Sequence, residues 1–385
     1  MTWRAYFIQP VTGLVGAEVK LPKDAGSGTL PLGELEEASI TVAKSELKRI
    51  RREWWEPWRG GMALTYESAF WPEFPVLAGP IIDDPEESID SATFEVRGLG
   101  ALFENRTVLL NDYGTAEAEQ KKLRESVIEL RNLSLGGIMR KIIHHATHYK
   151  PNGQLPIVYD DIPTEGRRQR TYEGWNLANN QAWKRLQETS AVINGPDFAF
   201  RPEWENEEKT RIQWRFQHGT EEDTSLPQVW IPVLDSTARK TPVISVDHSS
   251  DSSAMAHRVY ATGAGEGAGT LTAMAEDIPG DHLMPLLEAV VSDNSEEGDA
   301  GEANLSELAQ GVLKSSRRIQ QFSVSLRGNT VQAPFGRWNV GHAARLVLKD
   351  WLNIEDGEYV RRIIAVKFDL GSDTFTIELQ EDQDA

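Results

Sequence analysis

Apolar and polar positions alternate at the end of the chain. Phe375, Ile377 and Leu379 interleave with Thr374, Thr376, Glu378 and Gln380, a period of two that buries one strand face and wets the other. Residues 343–350 predict a second strand. Residues 358–368 predict a third, whose apolar middle, Ile363, Ile364, Ala365 and Val366, suits a central position. Asp356-Gly357 and Gly371-Ser372-Asp373 separate the runs and supply hairpin turns. Such a meander has two unpaired edges. It must belong to a larger barrel or sandwich, or to an assembly that covers them.

Residues 1–111 predict a compact, mostly β section. Strands fall at 6–8, 39–42, 62–67, 76–83 and 91–98, with weak alternation over 13–20 and a loop at 23–28. A helix is expected over 45–55, with Ser45 as its N-cap and Leu47 and Ile50 on one face. Pro80 marks an edge or a bulge. Residues 99–108 predict a turn of helix before another strand.

Residues 112–227 form an α+β section. Helices are expected over 115–132, 134–147 and 175–186, the last with Leu177, Trp183 and Leu186 inward. Residues 151–172 are loop-like, and 197–204 with 210–217 make a hairpin. Residues 228–303 predict strands at 229–233, 243–247, 258–262 and 270–274, then an exposed acidic loop over 292–302. In 304–385, Asn304 caps a helix carrying Leu305, Leu308, Val312 and Leu313, and a strand at 321–326 leads into the meander. The fold class is α+β, mainly β. No fixed-period repeat is present, but the first and last sections are alike, each a β meander with one helix.

The 385 residues carry a formal net charge of −19. Such a surface repels duplex DNA, which excludes specific nucleic-acid recognition. Acid can still serve as a wall to which DNA must not stick, or simply as a solubility device. The absence of cysteine excludes disulfides, thiolate metal sites and cysteine nucleophiles, and suits folding in a reducing cytoplasm. No run approaches the ~18 apolar residues of a membrane span. The N-terminus lacks the pattern of a secretion signal.

His144 and His148 stand four apart on one predicted helix face, a metal-ligand spacing. The zinc-protease pattern places Glu after the first His; His145 occupies that position and no third ligand is evident. The histidines therefore read as the end of a helix, where they suit its dipole. Gly263–Gly269 resembles a phosphate loop, but strands flank it and no Lys-Ser or Lys-Thr follows, so a hairpin tip fits better. No Gly-x-Ser-x-Gly elbow occurs. The acidic pairs Asp83-Asp84 and Asp160-Asp161 lie in loops. Trp54, Trp55 and Trp58 cluster, and burial or subunit contact suits them better than a ligand platform. No catalytic, cofactor-binding or metal-binding residue is expected, and no cofactor.

The stretch 76–82, followed by 94–108, resembles the first domain of minor tail proteins of long-tailed bacteriophages. The segments 305–313 and 356–363, with the strand at Phe322, resemble the end of the same family of baseplate or tail-tip hubs. The resemblance covers most of the chain by layout, and its motifs are loose patterns. It implies two tail-tube-like β-barrel domains with one helix each, 1–111 and 304–385, an inserted α+β domain, 112–227, and a β-rich connecting domain, 228–303. It implies a homotrimer whose six barrels match a hexameric tube, covering the open meander edges and lining a DNA-ejection channel. The implied partners are a distal tail protein or tube ring above, tip or fibre proteins below, and a tape measure protein in the lumen. The implied location is the virion tail tip, after assembly in the host cytoplasm. No peptidase or lysozyme domain is expected. The competing reading is a tail-tip protein that binds cell-surface glycan or degrades cell wall.

Overall fold

The computed structural model describes residues 2–148, 150–192, 194–263, 267–280, 284–292, 298–316 and 319–381. The chain begins with β1 (Thr2–Gln9), β2 (Leu14–Val19), β3 (Gly26–Pro31), β4 (Glu37–Ala43) and α1 (Lys44–Leu47). Next come β5 (Gly61–Glu67), β6 (Phe74–Pro80), β7 (Glu86–Glu87), β8 (Ser91–Arg97) and α2 (Gly100–Glu104). The middle carries α3 (Glu117–Glu125), β9 (Val127–Leu133), α4 (Leu135–Thr147), β10 (Ile157–Tyr159) and β11 (Arg168–Glu173). It continues with α5 (Ala182–Ser190), β12 (Phe198–Trp204), β13 (Ile212–His218), β14 (Val233–Asp235) and β15 (Val243–Asp251). Then follow β16 (Arg258–Thr262), β17 (Thr272–Glu276), β18 (Glu288–Ser292) and α6 (Gly298–Ser315). The chain closes with β19 (Ile319–Arg327), β20 (Ala343–Leu348), β21 (Gly357–Asp369) and β22 (Thr374–Gln380). The fold is α+β and mainly β.

The chain packs as two units, 1–246 with 324–379, and 247–323 with 380–385. In the first, β2-β1-β5-β6 form one sheet. A larger sheet runs β15-β19-β22-β21-β3-β4-β8-β7, with β20 and β14 branching from β21. Pro80 ends β6, the outermost strand of the smaller sheet, where a missing N–H costs no ladder bond.

The closing meander forms as its alternation predicts, but its edges are met differently. β21 hydrogen-bonds to β3, β22 to β19, and β20 to β14, so the chain itself covers the edges that the resemblance assigned to neighbouring copies. The two end sections also share a core. Trp3, Tyr66, Phe335, Phe368 and Phe375 interlock, with Phe335 and Phe375 4.0 Å apart and Trp3 stacked on Phe368 at 4.9 Å. The Trp3 indole donates to the Ser372 carbonyl at 2.9 Å.

In the middle section, Ser134 caps α4 by accepting from the Gly137 N–H at 3.0 Å. α4 buries Leu135, Ile138, Met139, Ile142, Ile143 and Ala146. They share a core with β12, β13 and α5, and with Ile8, Ala63 and Ala78 of the first section. The Trp214 indole donates to the Ala78 carbonyl at 3.1 Å.

Several expectations are corrected. The helix over 45–55 shrinks to α1 and a 3-10 turn at Arg52–Trp54. Lys48, Arg51 and Arg52 would stack like charges at helical spacing there, and Ala43, not Ser45, stands at the N-cap. The helix expected over 115–132 stops at Glu125, and Ile128 and Leu130 alternate as buried positions of β9. The loop over 151–172 contains β10 and β11. β11 pairs with β9 and buries Tyr172 alone, so little apolar alternation marked it. After α2, Thr107 makes a single bridge to Gln181 and no strand. Leu177 is exposed in a 3-10 turn before α5. The strand expected over 229–233 begins only at Val233, and Val229 is fully exposed.

In the second unit, β17-β16-β18 form a three-stranded sheet, with a hairpin joining β16 and β17 as the Gly-rich segment suggests. α6 starts at Gly298, so Asn304 lies within it and residues 298–302 are helical; 293–297 fall outside the described residues, as do 264–266. Leu305 and Ala309 of α6 pack on Val259 and Ala261 of β16. This helix belongs to the second unit, and the closing meander up to Leu379 to the first.

Candidate assembly surfaces

The larger sheet has two unlike faces. Leu30, Ala38, Ile40, Val42, Phe94, Val96, Val366, Phe368, Phe375 and Ile377 are buried on one side. On the other, cross-strand register aligns polar residues in rows. One row runs Lys367, Thr29, Glu37, Arg97. The next runs Asp369, Ser27, Ser39, Glu95. Thr41 and Thr93 hydrogen-bond at 3.0 Å, and Ser325 and Thr376 at 3.2 Å. The Lys367 ammonium pairs with Glu378 at 3.0 Å, and Arg97 approaches Glu104 at 3.8 Å. Both cations of these rows are thus matched by carboxylates, and the rest of the two rows is hydroxyls and acid. Such a face offers phosphate few attractive groups.

The sections meet through buried charge. Arg201 of β12 lies 3.8 Å from Glu36, both nearly buried, and donates to the Val340 carbonyl. Burial pushes the Glu36 carboxyl up to about 7, against the pull of Arg201. Burial, then the Arg201 charge, pushes the His342 imidazole down to about 4. Arg362 of β21 pairs with Asp197 at 2.9 Å. Glu73 accepts from Thr65 at 2.7 Å, Tyr6 at 3.0 Å and Lys209 at 2.5 Å. Burial alone would raise the Glu73 carboxyl, but these donors hold it below the usual range. A removed partner would strand a desolvated charge, so these pairs fix how the middle section seats on the ends.

The residues singled out in the sequence disperse. His144 and His148 stack with ring centroids 4.4 Å apart. Burial, then His148 and Lys141, lowers the His144 pKa. No group of three or more His, Asp or Glu side chains placed to hold a metal occurs among the described residues. Trp54 packs over Gly16, where a Cβ would fall 2.7 Å from its ring. Trp55 meets Phe94 edge-on at 6.4 Å, and Trp58 is exposed with φ +63°. Asp160 pairs with Arg215 at 3.2 Å, and Asp84 approaches Arg52 at 3.8 Å. Sequence reasoning missed Glu36, Arg201 and His342, which are 165 and 141 positions apart in the chain; no local pattern joins them.

No protein-family model matches the sequence, and no curated protein matches it. Solved structures match its fold. A tail protein from Neisseria meningitidis MC58 aligns over 99% of this chain and 97% of its own, at 12% identity and TM-score 0.55. The 43 kDa tail protein of prophage MuSo2 from Shewanella oneidensis aligns over 99% of each chain, at 12% identity and TM-score 0.54. The prophage tail protein gp18 from Listeria monocytogenes EGD-e aligns over 99% of this chain and 95% of its own, at 10% identity and TM-score 0.51. The chain shares the fold of these tail proteins along nearly its whole length.

Proposed function

We propose that this chain is a structural protein of a phage tail, and that three copies form the hub of its tip or baseplate. In this reading the hub joins the sixfold tube to the threefold tip, and the polar face of the larger sheet lines part of the DNA-ejection channel. The section 1–111 and the closing strands of 304–385 act as the two tube-like halves around one shared core, 112–227 as the inserted domain, and 228–303 together with α6 as the connector. The hub works by assembly, with no chemistry of its own. Tube or distal tail protein lies above, tip or fibre proteins below, and tape measure in the lumen. Copies assemble in the host cytoplasm and end in the virion.

One observation carries the reading. A single sheet crosses both ends of the chain with an apolar back and a polar face, and among the described residues its order ends at β7 and β15. Such a sheet can be one arc of a ring wall. Light scattering on the purified chain, followed by electron microscopy, tests it. The expected result is three times the 43.1 kDa of one chain, and a ring with a central channel. A compact particle without a channel, or specific binding or breakdown of cell-wall polysaccharide by the single chain, would refute it.

A further inference from the structure

In the second unit, α6 covers one face of the β17-β16-β18 sheet. On that face Val259, Ala261, Ala273, Ala275, Ala289 and Val291 pack with Leu305 and Ala309 of the helix. On the opposite face, strand pairing aligns three rows. Thr272, Thr262 and Ser292 form one, Met274, Tyr260 and Val290 the next, and Glu276, Arg258 and Glu288 the third. Met274 is 50% exposed and Val290 69%, with Tyr260 half-buried between them. Ile278 and Leu286, two residues beyond Glu276 and two before Glu288, are exposed as well. β17 thus turns alanines inward and methionine outward, the reverse of an alternation that buries its larger apolar side chains. An exposed apolar row framed by polar rows marks an interaction surface.

Size and charge select what covers it. Each of the three strands has 5 residues, which gives a face of about 14 by 17 Å, or about 240 Å². A stable interface between two folded copies takes about 800 Å² from each. Three turns of α-helix, about 11 residues long and about 10 Å wide, match the face instead. The Arg258 guanidinium donates to Glu276 at 2.9 Å and to Glu288 at 3.3 Å, and the Tyr260 hydroxyl donates to Glu288 at 3.2 Å. Two carboxylates share one cation, so the row keeps a net negative charge. A second copy laid face to face would set one such row against another, whereas a Lys or Arg beside an apolar stripe would neutralise it.

We infer that this face docks an amphipathic helix of another tail protein, with apolar side chains over Met274, Tyr260 and Val290 and a Lys or Arg beside Glu276 or Glu288. The sheet then carries a helix on each side, α6 behind and the partner in front. The inference rests on reading the chain as a tail component and names what its second unit holds there.

Hydrogen peroxide footprinting, read by mass spectrometry, tests it on the isolated chain and on purified tails. Met274 should form its sulfoxide at least about tenfold more slowly in tails than in the isolated chain. Met62 and Met139, both fully buried, should resist in both. Val290→Lys should return Met274 in tails to the isolated-chain rate. Met274→p-benzoylphenylalanine, irradiated in tails, identifies the occupant. The cross-link should land on another protein, in a segment whose apolar residues recur at three- and four-residue spacing beside a Lys or Arg. Met274 equally reactive in both samples, or a cross-link to another copy of this chain, to DNA or to a segment without helical spacing, overturns the docking site and leaves the tail reading standing. Absence of the chain from purified tails overturns both.

Discussion

Phe375→Ala tests whether the two ends of the chain are one folding unit. Phe375 of β22 is fully buried. Its ring lies 4.0 Å from Phe335, 5.4 Å from Tyr66, 6.0 Å from Trp3 and 6.2 Å from Trp338. Truncating a buried phenylalanine costs about 3–5 kcal/mol through lost transfer energy and the cavity left behind. The fourfold aromatic packing places this site near the upper end, at about 4–5 kcal/mol. Against a typical stability of about 5–15 kcal/mol that is a large share. At about 2–4 °C per kcal/mol for larger domains, melting should fall by ~10 °C or more. Urea unfolding gives the energy, and hydrogen exchange read by mass spectrometry gives its distribution. β1 and β5 should lose protection together with β21 and β22. A loss below about 1.5 kcal/mol, or exposure confined to the closing meander, would refute the shared core and make the ends independent modules.

Further outcomes follow from the buried charges and the polar face. Arg201→Met should cost about 1–3 kcal/mol near pH 7, because it takes the donor from the Val340 carbonyl while Glu36 keeps its proton instead of standing charged; adding Glu36→Gln should then change stability little, measured as a double-mutant cycle in urea. Native Glu36 holds its proton up to about 7 from an ordinary 4.5, so its share of stability falls as pH rises across that window. Native His342 resists protonation down to about 4 from an ordinary 6.5, so its share falls as pH drops across that window. Urea midpoints of Glu36→Gln should therefore gain on wild type as pH rises from 4.5 to 7, and those of His342→Gln should gain as pH falls from 6.5 to 4; slopes of the opposite sign would refute these assignments. Glu95→Lys with Asp369→Lys reverses both carboxylates of one row. In assembled tails the variant should release DNA more slowly than wild type, and added salt should remove the difference.

What the sequence revealed followed from how local the deciding force was. β22 is legible because Phe375, Ile377 and Leu379 meet one core on one side. α4 is legible because its apolar stripe and Ser134 cap agree. β9 was hidden inside a helix-rich composition, since the strand partner that decided it, β11, lies tens of residues away. The basic run after α1 favoured a helix by propensity, while charge repulsion opposed it. The candidate surfaces were half legible. The alternation marks Thr29, Ser39, Glu95 and Lys367 as polar positions, but no periodicity says that β3 adjoins β21 across more than 300 residues.

One strand has a double allegiance. β21 gives its first half, Gly357–Arg362, to β20 and its second half, Ala365–Asp369, to β3. Deleting a single residue between those halves would invert every side chain on one side of the cut, swapping core for surface. Drift in length is therefore barred from the thirteen residues of this strand and confined to the turns at its two ends, which is where related chains should differ in size.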